Sequence, residues 1–423
     1  MSAFSEFFLM KPDDVKHYAA EVLHRFDPDE ETTCTEIGDG NINYVFRVRS
    51  LRDGRSVIVK QADKRLRSSG RPLDIYRSRI EAQALQLESR LAPDYIPEVY
   101  HYDETMAALS MEDISAYRNL RKELLAGRIY GHLAENISTF LAQSLLPTTD
   151  LVLDRREKKR RVQFFTNPEL CDITEDLVLT EPYLAQPMNP RNKNIVTPGN
   201  EDFVRARLYE DEALHGEVAA LRNGFMNNAQ ALIHGDLHSG SIFANEQGIK
   251  VIDPEFAFYG PMGYDIGNVI GNLFFAWANK FYTGGSAETQ AALKRTIRET
   301  CDKTAEKLET QIAEHSSDWT DFRADDLFYY SQGKIYAYML ILKAWGMDFK
   351  EVLLDSGQYE NWTRVTRALE DGSALSPFAV RNGELNSGMA AHHLVALGYY
   401  MLRAAGLLEQ ISYEMKGVSF NAD

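Results

Sequence analysis

The sequence predicts an α+β fold with two lobes, a small antiparallel β lobe over residues 1–112 and a larger, mainly helical lobe over residues 113–423. Three observations predict it. Strand-like runs come in pairs near the N-terminus, one helical pattern is inserted among them, and long helical patterns dominate the rest of the chain. Strands followed by helices are typical of α+β folds. A cleft between two lobes is a usual place for a ligand.

The elements of the first lobe follow from local patterns. Apolar residues at helical spacing predict helices, and short runs rich in valine, isoleucine and tyrosine predict strands. The predicted helices cover 13–25 and 75–90, and the predicted strands cover 44–48, 56–60, 98–102 and 107–111. Asp53-Gly54 between the first two strands is a hairpin turn signal.

The second lobe is predicted from longer patterns. Residues 117–146 and 201–231 are rich in alanine and leucine and predict long helices. Between them, residues 154–200 are charged and contain proline, and 193–200 are predicted to form a loop. The basic run 155–161 is interpreted as a solvated helix face. After residue 260 the chain is again mostly helical.

Composition and charge narrow the class of partner. The 423 residues are 44% apolar and 26% charged, which is ordinary for a globular protein. A formal net charge of −16 makes free nucleic acid an unexpected partner. The three cysteines, Cys34, Cys171 and Cys301, follow neither a disulfide nor a metal-binding spacing, which fits a reducing cytosol. The N-terminus does not resemble a signal peptide, and the apolar stretch 269–282 is too short and polar to span a membrane.

A glycine-containing turn and a lysine point to a nucleotide. Gly38 and Gly40 precede a predicted strand, where exposed backbone N–H groups can contact phosphate, although a plain hairpin turn explains such a segment equally well. Lys60 ends the next strand, and Glu81 follows 21 residues later on a predicted helix. A strand lysine held by a helix glutamate places an ammonium beside nucleotide phosphates.

The strongest signal is the segment His234-Gly235-Asp236-Leu237-His238, followed by Asp253-Pro254-Glu255 at the end of a short strand. Kinase-type phosphoryl transfer uses one carboxylate to accept the proton of the substrate hydroxyl. It uses another to hold Mg²⁺, which bridges the phosphates of ATP. Asp236 and Asp253 are 17 residues apart and follow the glycine turn and the lysine in order. The sequence therefore predicts an ATP-dependent small-molecule kinase with Asp236 as the catalytic base.

Two alternatives from other classes remain. A metallohydrolase would use His234, Asp236, His238 and Asp253 as metal ligands, but it would leave the glycine turn and the strand lysine unexplained. A nucleotide-binding pseudokinase is disfavoured because the lysine and both aspartates are present.

Seven stretches resemble the methylthioribose kinases, which belong to the aminoglycoside phosphotransferase and choline kinase branch of the protein-kinase-like fold. Ser241 stands five residues after Asp236, where many relatives in this branch carry asparagine. The stretches, within roughly the first 270 residues, are EIGDGNINYVFRV (36–48), VIVKQA (57–62), RIEAQAL (79–85), SMEDIS (110–115), FFTNPELCDITE (164–175), LIHGDLHSGSIFA (232–244) and KVIDPEFAFYGPMGYDIGN (250–268).

The resemblance implies a role for each matched residue. It implies a phosphate-lining turn, an interlobe hinge that reads adenine, and Mg²⁺ ligands in place of the usual Asp-Phe-Gly. Lys60 would pair with Glu81, and Asp236 would act on the anomeric hydroxyl of the sugar. Asp265 would buttress the catalytic loop, and His234 would be a satisfied loop histidine. The phosphate-lining turn would contain Gly38, Gly40, Asn41 and Asn43, and the hinge would contain Met111, Glu112 and Asp113. The metal site would contain Asp253, Pro254 and Glu255, with Asp253 and Glu255 as the Mg²⁺ ligands.

The sequence departs from the family toward the C-terminus. Methylthioribose kinases carry adjacent arginines before an Asp-Phe, whereas Tyr338-Met339 occupies that place if Asp348-Phe349 is the match. Lys343, or Arg364 with Arg367, could replace them, but surface charges are the favoured interpretation. The resemblance implies ATP, Mg²⁺, a homodimer and S-methyl-5-thioribose as substrate. 5-Deoxyribose and an amino-alcohol or aminoglycoside remain alternatives.

Overall fold

The computed structural model describes residues 3–37, 43–65, 70, 72–185, 194–315, 324–375 and 393–415. The chain forms two compact units, Met1–Gln311 and Ile312–Asp423. Every described residue of the predicted nucleotide and catalytic motifs lies in the first unit. Gly38, Gly40 and Asn41 lie outside the described residues.

A five-stranded antiparallel sheet forms the N-terminal part of the first unit. Its order is β1-β2-β3-β5-β4, and two helices accompany it. The strands are β1 (Thr32–Glu36), β2 (Asn43–Ser50), β3 (Ser56–Ala62), β4 (Val99–Asp103) and β5 (Ala108–Met111), and the helices are α1 (Pro12–Glu21) and α2 (Arg77–Leu91).

The core of this part explains why β3 lies in the middle of the sheet. Six of its seven residues are buried, and its first half contains three consecutive β-branched apolar residues, Val57, Ile58 and Val59. Val57 and Val59 pack with Phe46 of β2 and with Val15 and Tyr18 of α1. The register places Lys60 opposite Val45 on one side and Leu109 on the other, which fixes the ammonium over the centre of the sheet.

Helices and two small sheets make up the rest of the first unit. The strand β6 pairs with β8, which pairs with β9, and β7 pairs with β10. The helices are α3 (Leu120–Leu125), α4 (Leu133–Leu145), α5 (Arg155–Phe164), α6 (Pro168–Leu177), α7 (Glu201–Val204), α8 (Glu212–Asn227), α9 (Met262–Tyr282) and α10 (Ala287–His315), the last of which continues past Gln311 into the second unit. The strands are β6 (Arg118–Asn119), β7 (Ala231–Ile233), β8 (Ile242–Asn245), β9 (Gly248–Val251) and β10 (Phe258–Gly260).

The second unit is helical. It contains α11 (Ala324–Asp348), α12 (Lys350–Asp355), α13 (Tyr359–Ser373) and α14 (His393–Met415). Its core joins Ile335 and Met339 of α11, Val365 and Leu369 of α13, and Leu397 of α14. The two apolar residues of α11, and likewise those of α13, are four positions apart, the spacing that brings side chains onto one face.

The predicted α+β class is confirmed, with the β-rich part first and helices dominating afterwards. The lobe boundary at residue 112 stays a prediction. The helix predicted over 117–146 is two helices, α3 and α4, because the chain turns at Gly127 with φ +83°. Within the part of the chain that the structure describes, no helix is both long and apolar enough to cross a bilayer.

Candidate active site

Lys60 and Glu81 meet as the sequence predicts. The buried Lys60 Nζ donates to Glu81 Oε1 of α2 at 2.8 Å, and it also forms an ion pair with Asp253. Burial by itself lowers the pKa of Lys60, but the carboxylates of Asp253, Glu81 and Glu255 outweigh it and raise that pKa. The lysine therefore keeps its positive charge beside a half-exposed carboxylate.

The loop after β7 holds Asp236 in a fixed backbone. Gly235 has φ +80°, and a Cβ there would lie 2.3 Å from the carbonyl oxygen of Phe256, so only glycine fits. The buried Asp265 carboxylate accepts hydrogen bonds from the backbone N–H groups of His234, at 2.7 Å, and Gly235, at 3.1 Å. Asp265 thus clamps the loop, as the resemblance implies.

His234 is tied into the same loop. Its Nε2 lies 2.9 Å from the carbonyl oxygen of Ile252, and its Nδ1 accepts from the backbone N–H of Asp236 at 3.3 Å. A carbonyl oxygen can only accept, so Nε2 carries the proton and Nδ1 is the acceptor. Both nitrogens have partners, which fits a satisfied loop histidine.

The backbone of Asp236 is fixed, but its carboxylate is accessible to solvent. Its side chain is 43% exposed, and the Nε2 of His238 lies 3.6 Å from its Oδ2. The hydroxyl of Ser241 donates to the Asp236 carbonyl oxygen at 3.0 Å, so Ser241 fixes the backbone and leaves the carboxylate uncovered. An exposed carboxylate on a rigid loop can accept a proton from a substrate hydroxyl that lies within hydrogen-bond distance of it.

Asp253-Pro254-Glu255 forms a tight turn after β9. Asp253 has φ +70°, the left-handed region that non-glycine residues rarely adopt and that is common at functional sites. Pro254 starts a short 3₁₀ turn that packs against α2. The Asp253 side chain is 47% exposed, whereas Glu255 is buried. Burial alone would raise the pKa of Asp253, but the Lys60 ammonium holds that pKa below its ordinary value.

Asp253 and Glu255 suit a hard cation such as Mg²⁺. Both offer carboxylate oxygens, and the Oε2 of Glu255 accepts from Asn43 Nδ2 at 2.8 Å, which leaves Oε1 for another ligand. Among the described residues no group of three or more acidic, histidine or cysteine side chains could enclose a metal alone. Mg²⁺ in kinase sites takes one or two carboxylates plus substrate phosphates, so two carboxylates fit.

The remaining predicted residues have other contacts. Met111 ends β5, and the backbone N–H of Glu112 donates to the carbonyl oxygen of Glu98 at 2.8 Å. The Asp113 carboxylate accepts from Ser56 Oγ at 2.7 Å and pairs with Arg47 Nε at 2.8 Å. The hinge segment is therefore anchored to the sheet, and its role with adenine stays a prediction.

Sequence reasoning missed two residues at the site. Arg77, the first residue of α2, donates from Nη2 to Asn43 Oδ1 at 3.0 Å. Asn167 donates from Nδ2 to the carbonyl oxygens of Glu255, at 2.8 Å, and Ala257, at 3.2 Å. Asn167 lies inside the family-like stretch 164–175, a signal that could have marked it; Arg77 carries no motif.

The candidate replacements for the late arginines lie in the second unit. Lys343 Nζ pairs with Glu370 Oε1 at 3.1 Å, and both side chains are exposed. Arg364 and Arg367 are also exposed, on α13. These contacts are those of ordinary surface charges, as the favoured interpretation expects.

Comparison with known proteins supports the chemistry of the site. Residues 33–300 match the family model described as the phosphotransferase enzyme family, and residues 284–412 match that of an uncharacterized protein conserved in bacteria. The methylthioribose kinase of Pectobacterium atrosepticum is 43% identical over 288 residues, 68% of this chain and 70% of that protein. The methylthioribose kinase of Bacillus pumilus is 43% identical over 244 residues, 57% of this chain, and the match spans 60% of that protein.

A solved structure, the Plasmodium vivax ethanolamine kinase, matches with a TM-score of 0.42 and 13% identity, over 96% of this chain and 90% of that one.

The fold and the site define a phosphotransferase: a sheet lysine paired with a helix glutamate, a clamped aspartate loop and a carboxylate turn. Within that class, the chain belongs to the methylthioribose kinase family.

Proposed function

We propose that this protein is an ATP-dependent kinase that transfers phosphate to the anomeric hydroxyl of S-methyl-5-thioribose and so forms the 1-phosphate. The single observation that carries the proposal is the convergence of Lys60 on Glu81 and Asp253. That cluster joins three elements distant in sequence, and it pairs an ammonium with a carboxylate as in kinase sites for a nucleoside triphosphate and its metal ion. Membership of the methylthioribose kinase family supports the sugar.

In this proposal each residue has one task. Asp236 accepts the proton of the anomeric hydroxyl while the hydroxyl oxygen attacks the γ-phosphorus of ATP, and the bond from that phosphorus to the bridging oxygen breaks so that ADP leaves. Lys60 places its ammonium against the phosphates and is itself aligned by Glu81. Asp253 and Glu255 hold Mg²⁺, which supplies positive charge against the phosphate oxygens when bound. Little covalent help is needed, so positioning and charge neutralisation account for most of the rate.

ADP release measured against methylthioribose, 5-deoxyribose, ribose, choline and an aminoglycoside tests the proposal. We expect methylthioribose to give the highest kcat/KM, with the phosphate on C1 of the product. Turnover of choline alone would contradict the sugar assignment, and turnover of none of the five would contradict this substrate class.

5-Deoxyribose is the second candidate because Tyr338-Met339 stands where the family has adjacent arginines. The two sugars differ only in the substituent at C5. 5-Deoxyribose carries hydrogen there in place of the methylthio group. A hydrophobic pocket discriminates by about 1–3 kcal/mol per missing group, so the kcat/KM values of the two sugars are expected to differ by roughly 10- to 200-fold.

The cytosol as location and a homodimer as assembly complete the proposal, together with a small sugar rather than nucleic acid or a membrane as partner. The net charge of −16 supports the exclusion of nucleic acid. The molar mass measured by light scattering as the protein elutes from a size-exclusion column tests the dimer. A mass of 48.1 kDa, that of one chain, would contradict it.

A further inference from the structure

A buried hydrogen-bond chain leads from the start of α2 to the carboxylate turn. Arg77 Nη2 donates to Asn43 Oδ1 at 3.0 Å, and Asn43 Nδ2 donates to Glu255 Oε2 at 2.8 Å. All three side chains are buried. The hydrogen-bond chain therefore connects a helix, a strand and the turn through side chains that are almost fully buried.

The direction of these hydrogen bonds is fixed by chemistry. A guanidinium can only donate, so the Asn43 oxygen must face Arg77 and its NH₂ group must face Glu255. Arg77 cannot turn away, because its Nη1 also donates to the carbonyl oxygens of Asp63, at 2.9 Å, and Asp74, at 3.0 Å. Without the arginine, the Asn43 amide could rotate and direct its oxygen at a carboxylate.

Glu255 is consequently held at two points. Its carbonyl oxygen accepts from Asn167 Nδ2 at 2.8 Å, and its Oε2 accepts from Asn43. The carboxylate has one oxygen engaged and the other, Oε1, available. The hydrogen-bond chain thus decides which oxygen of Glu255 is presented to a ligand.

Charge supports the same assignment. Three carboxylates, those of Glu81, Asp253 and Glu255, surround the Lys60 ammonium. Arg77 is the second cation that acts on Glu255. A buried, hydrogen-bonded cation such as Arg77 stabilises neighbouring carboxylates that would otherwise repel one another.

We propose that Arg77 is a positioning residue that acts through Asn43 to orient Glu255 for a divalent cation. This inference rests on the metal role that the proposed function gives to Glu255. Groups that hydrogen-bond to a metal ligand fix its orientation, and their loss commonly weakens metal affinity by about 10- to 100-fold. Arg77 would have this effect without touching metal, nucleotide or sugar.

Binding of Mn²⁺ in the presence of AMP-PNP, followed by the electron paramagnetic resonance signal of free Mn²⁺, tests the proposal without any sugar. We expect Arg77→Gln and Asn43→Ser each to weaken Mn²⁺ binding about 10-fold or more. The double variant should be no weaker than the worse single variant, because both changes break one chain. Arg77→Lys, which keeps a donor for Asn43, should recover part of the affinity.

The matched control is Arg79→Gln. Arg79 lies on the same helix two residues away, but its guanidinium packs over the Phe164 ring at 4.6 Å. It should bind Mn²⁺ as tightly as the unchanged protein.

A purely structural role for Arg77 predicts other results. If Arg77→Gln lowers the unfolding temperature while Mn²⁺ affinity stays within two-fold, or if the single effects add, the proposal is wrong. Should Arg77→Gln fail to fold, Asn43→Ser decides, because it leaves the contacts of Arg77 to Asp63 and Asp74 in place. Unchanged Mn²⁺ affinity there overturns the proposal, as does an unchanged protein that binds no Mn²⁺. Intact Mn²⁺ binding without turnover of any sugar would overturn only the substrate assignment.

Discussion

Asp236 combines a backbone held by hydrogen bonds with an exposed carboxylate. A substitution that changes only the carboxylate therefore tests its role. Asp236→Asn keeps size and shape but removes the proton acceptor. We expect kcat to fall by about 10²- to 10⁴-fold, the range typical for loss of a general base. Binding of MgATP should be nearly unchanged, because Lys60, Asp253 and Glu255 remain. ADP release and calorimetric titration with Mg–AMP-PNP measure the two quantities, and near-normal turnover would contradict the base assignment.

Glu88 is a buried acid on α2 for which the proposed reaction has no use. Its Oε2 has no hydrogen-bond partner among the described residues. Burial, with a contribution from the Asp265 carboxylate, raises the pKa of Glu88 from 4.5 to about 8. The folded protein therefore holds a proton between these two pH values that the unfolded chain has released.

This proton makes stability depend on pH. Because the folded state binds it more tightly, the free energy of unfolding falls as pH rises from about 4.5 to about 8. Glu88→Gln should remove that slope and stabilise the protein by a few kcal/mol at pH 8, since each pKa unit corresponds to about 1.4 kcal/mol. Urea unfolding at pH 5, 6.5 and 8 measures it. An equal effect of the substitution at all three pH values would show that Glu88 does not titrate.

At the scale of elements, the turn after β7 depends on a single glycine. A Cβ at Gly235 would lie 2.3 Å from the backbone oxygen of Phe256, which belongs to the carboxylate turn. Gly235→Ala should therefore displace Asp253 and Glu255 as well as Asp236. We expect loss of turnover and a lower unfolding temperature. The loop cannot yield without breaking its hydrogen bonds to Asp265, and the carboxylate turn cannot yield without breaking those from Asn167 to the carbonyl oxygens of Glu255 and Ala257.

Gly216 of α8 provides the matched control. Nothing lies within 4 Å of a Cβ built at Gly216, and the position is helical. Gly216→Ala should leave turnover unchanged and stabilise the protein by up to about 1 kcal/mol, the difference in helix propensity. If Gly235→Ala behaved in the same way, the close approach of the two turns would not matter for function.

The elements were predictable where local pattern decides them. The strands predicted at 44–48 and 56–60 lie inside β2 and β3, and the helix predicted at 75–90 nearly coincides with α2. The basic run 155–161 is helical, but Lys158 is buried, where its Nζ donates to the carbonyl oxygen of Gln230 at 2.6 Å. That partner is 72 residues away, so no local pattern could indicate it.

The site divides in the same way. Lys60, Glu81, Asp236 and Asp253 were predictable because phosphoryl transfer uses those side chains, and because kinases of this fold carry them in this order along the chain. The structure brings Lys60 to Glu81, as expected, and also to Asp253, a pairing that the sequence did not predict. The hydrogen bond from Asn43 of β2 to Glu255 of the carboxylate turn spans 212 residues, so only tertiary structure defines it.

At the scale of the whole molecule, the two compact units correspond to different family models. The phosphotransferase match ends at residue 300, close to the end of the first unit at Gln311, and the second match, 284–412, covers most of the second unit. Each unit has a core made of its own residues. The family-like motifs are confined to the first unit, whereas the position of the family's adjacent arginines falls in the second. The motifs therefore could not show which residues of this chain, if any, replace those arginines.

A ligand should therefore stabilise the two units differently. AMP-PNP with Mg²⁺ binds only the folded first unit, so at 100 times its dissociation constant it adds about 2.7 kcal/mol to the free energy of opening, or about 100-fold slower amide exchange. We expect hydrogen exchange followed by mass spectrometry to show this slowing in β3, which contains Lys60, and in β7, which leads into the Asp236 loop. Amides of α13 should exchange at an unchanged rate. Equal slowing in α13 would mean that both units open together as one cooperative block, and no slowing anywhere would contradict nucleotide binding.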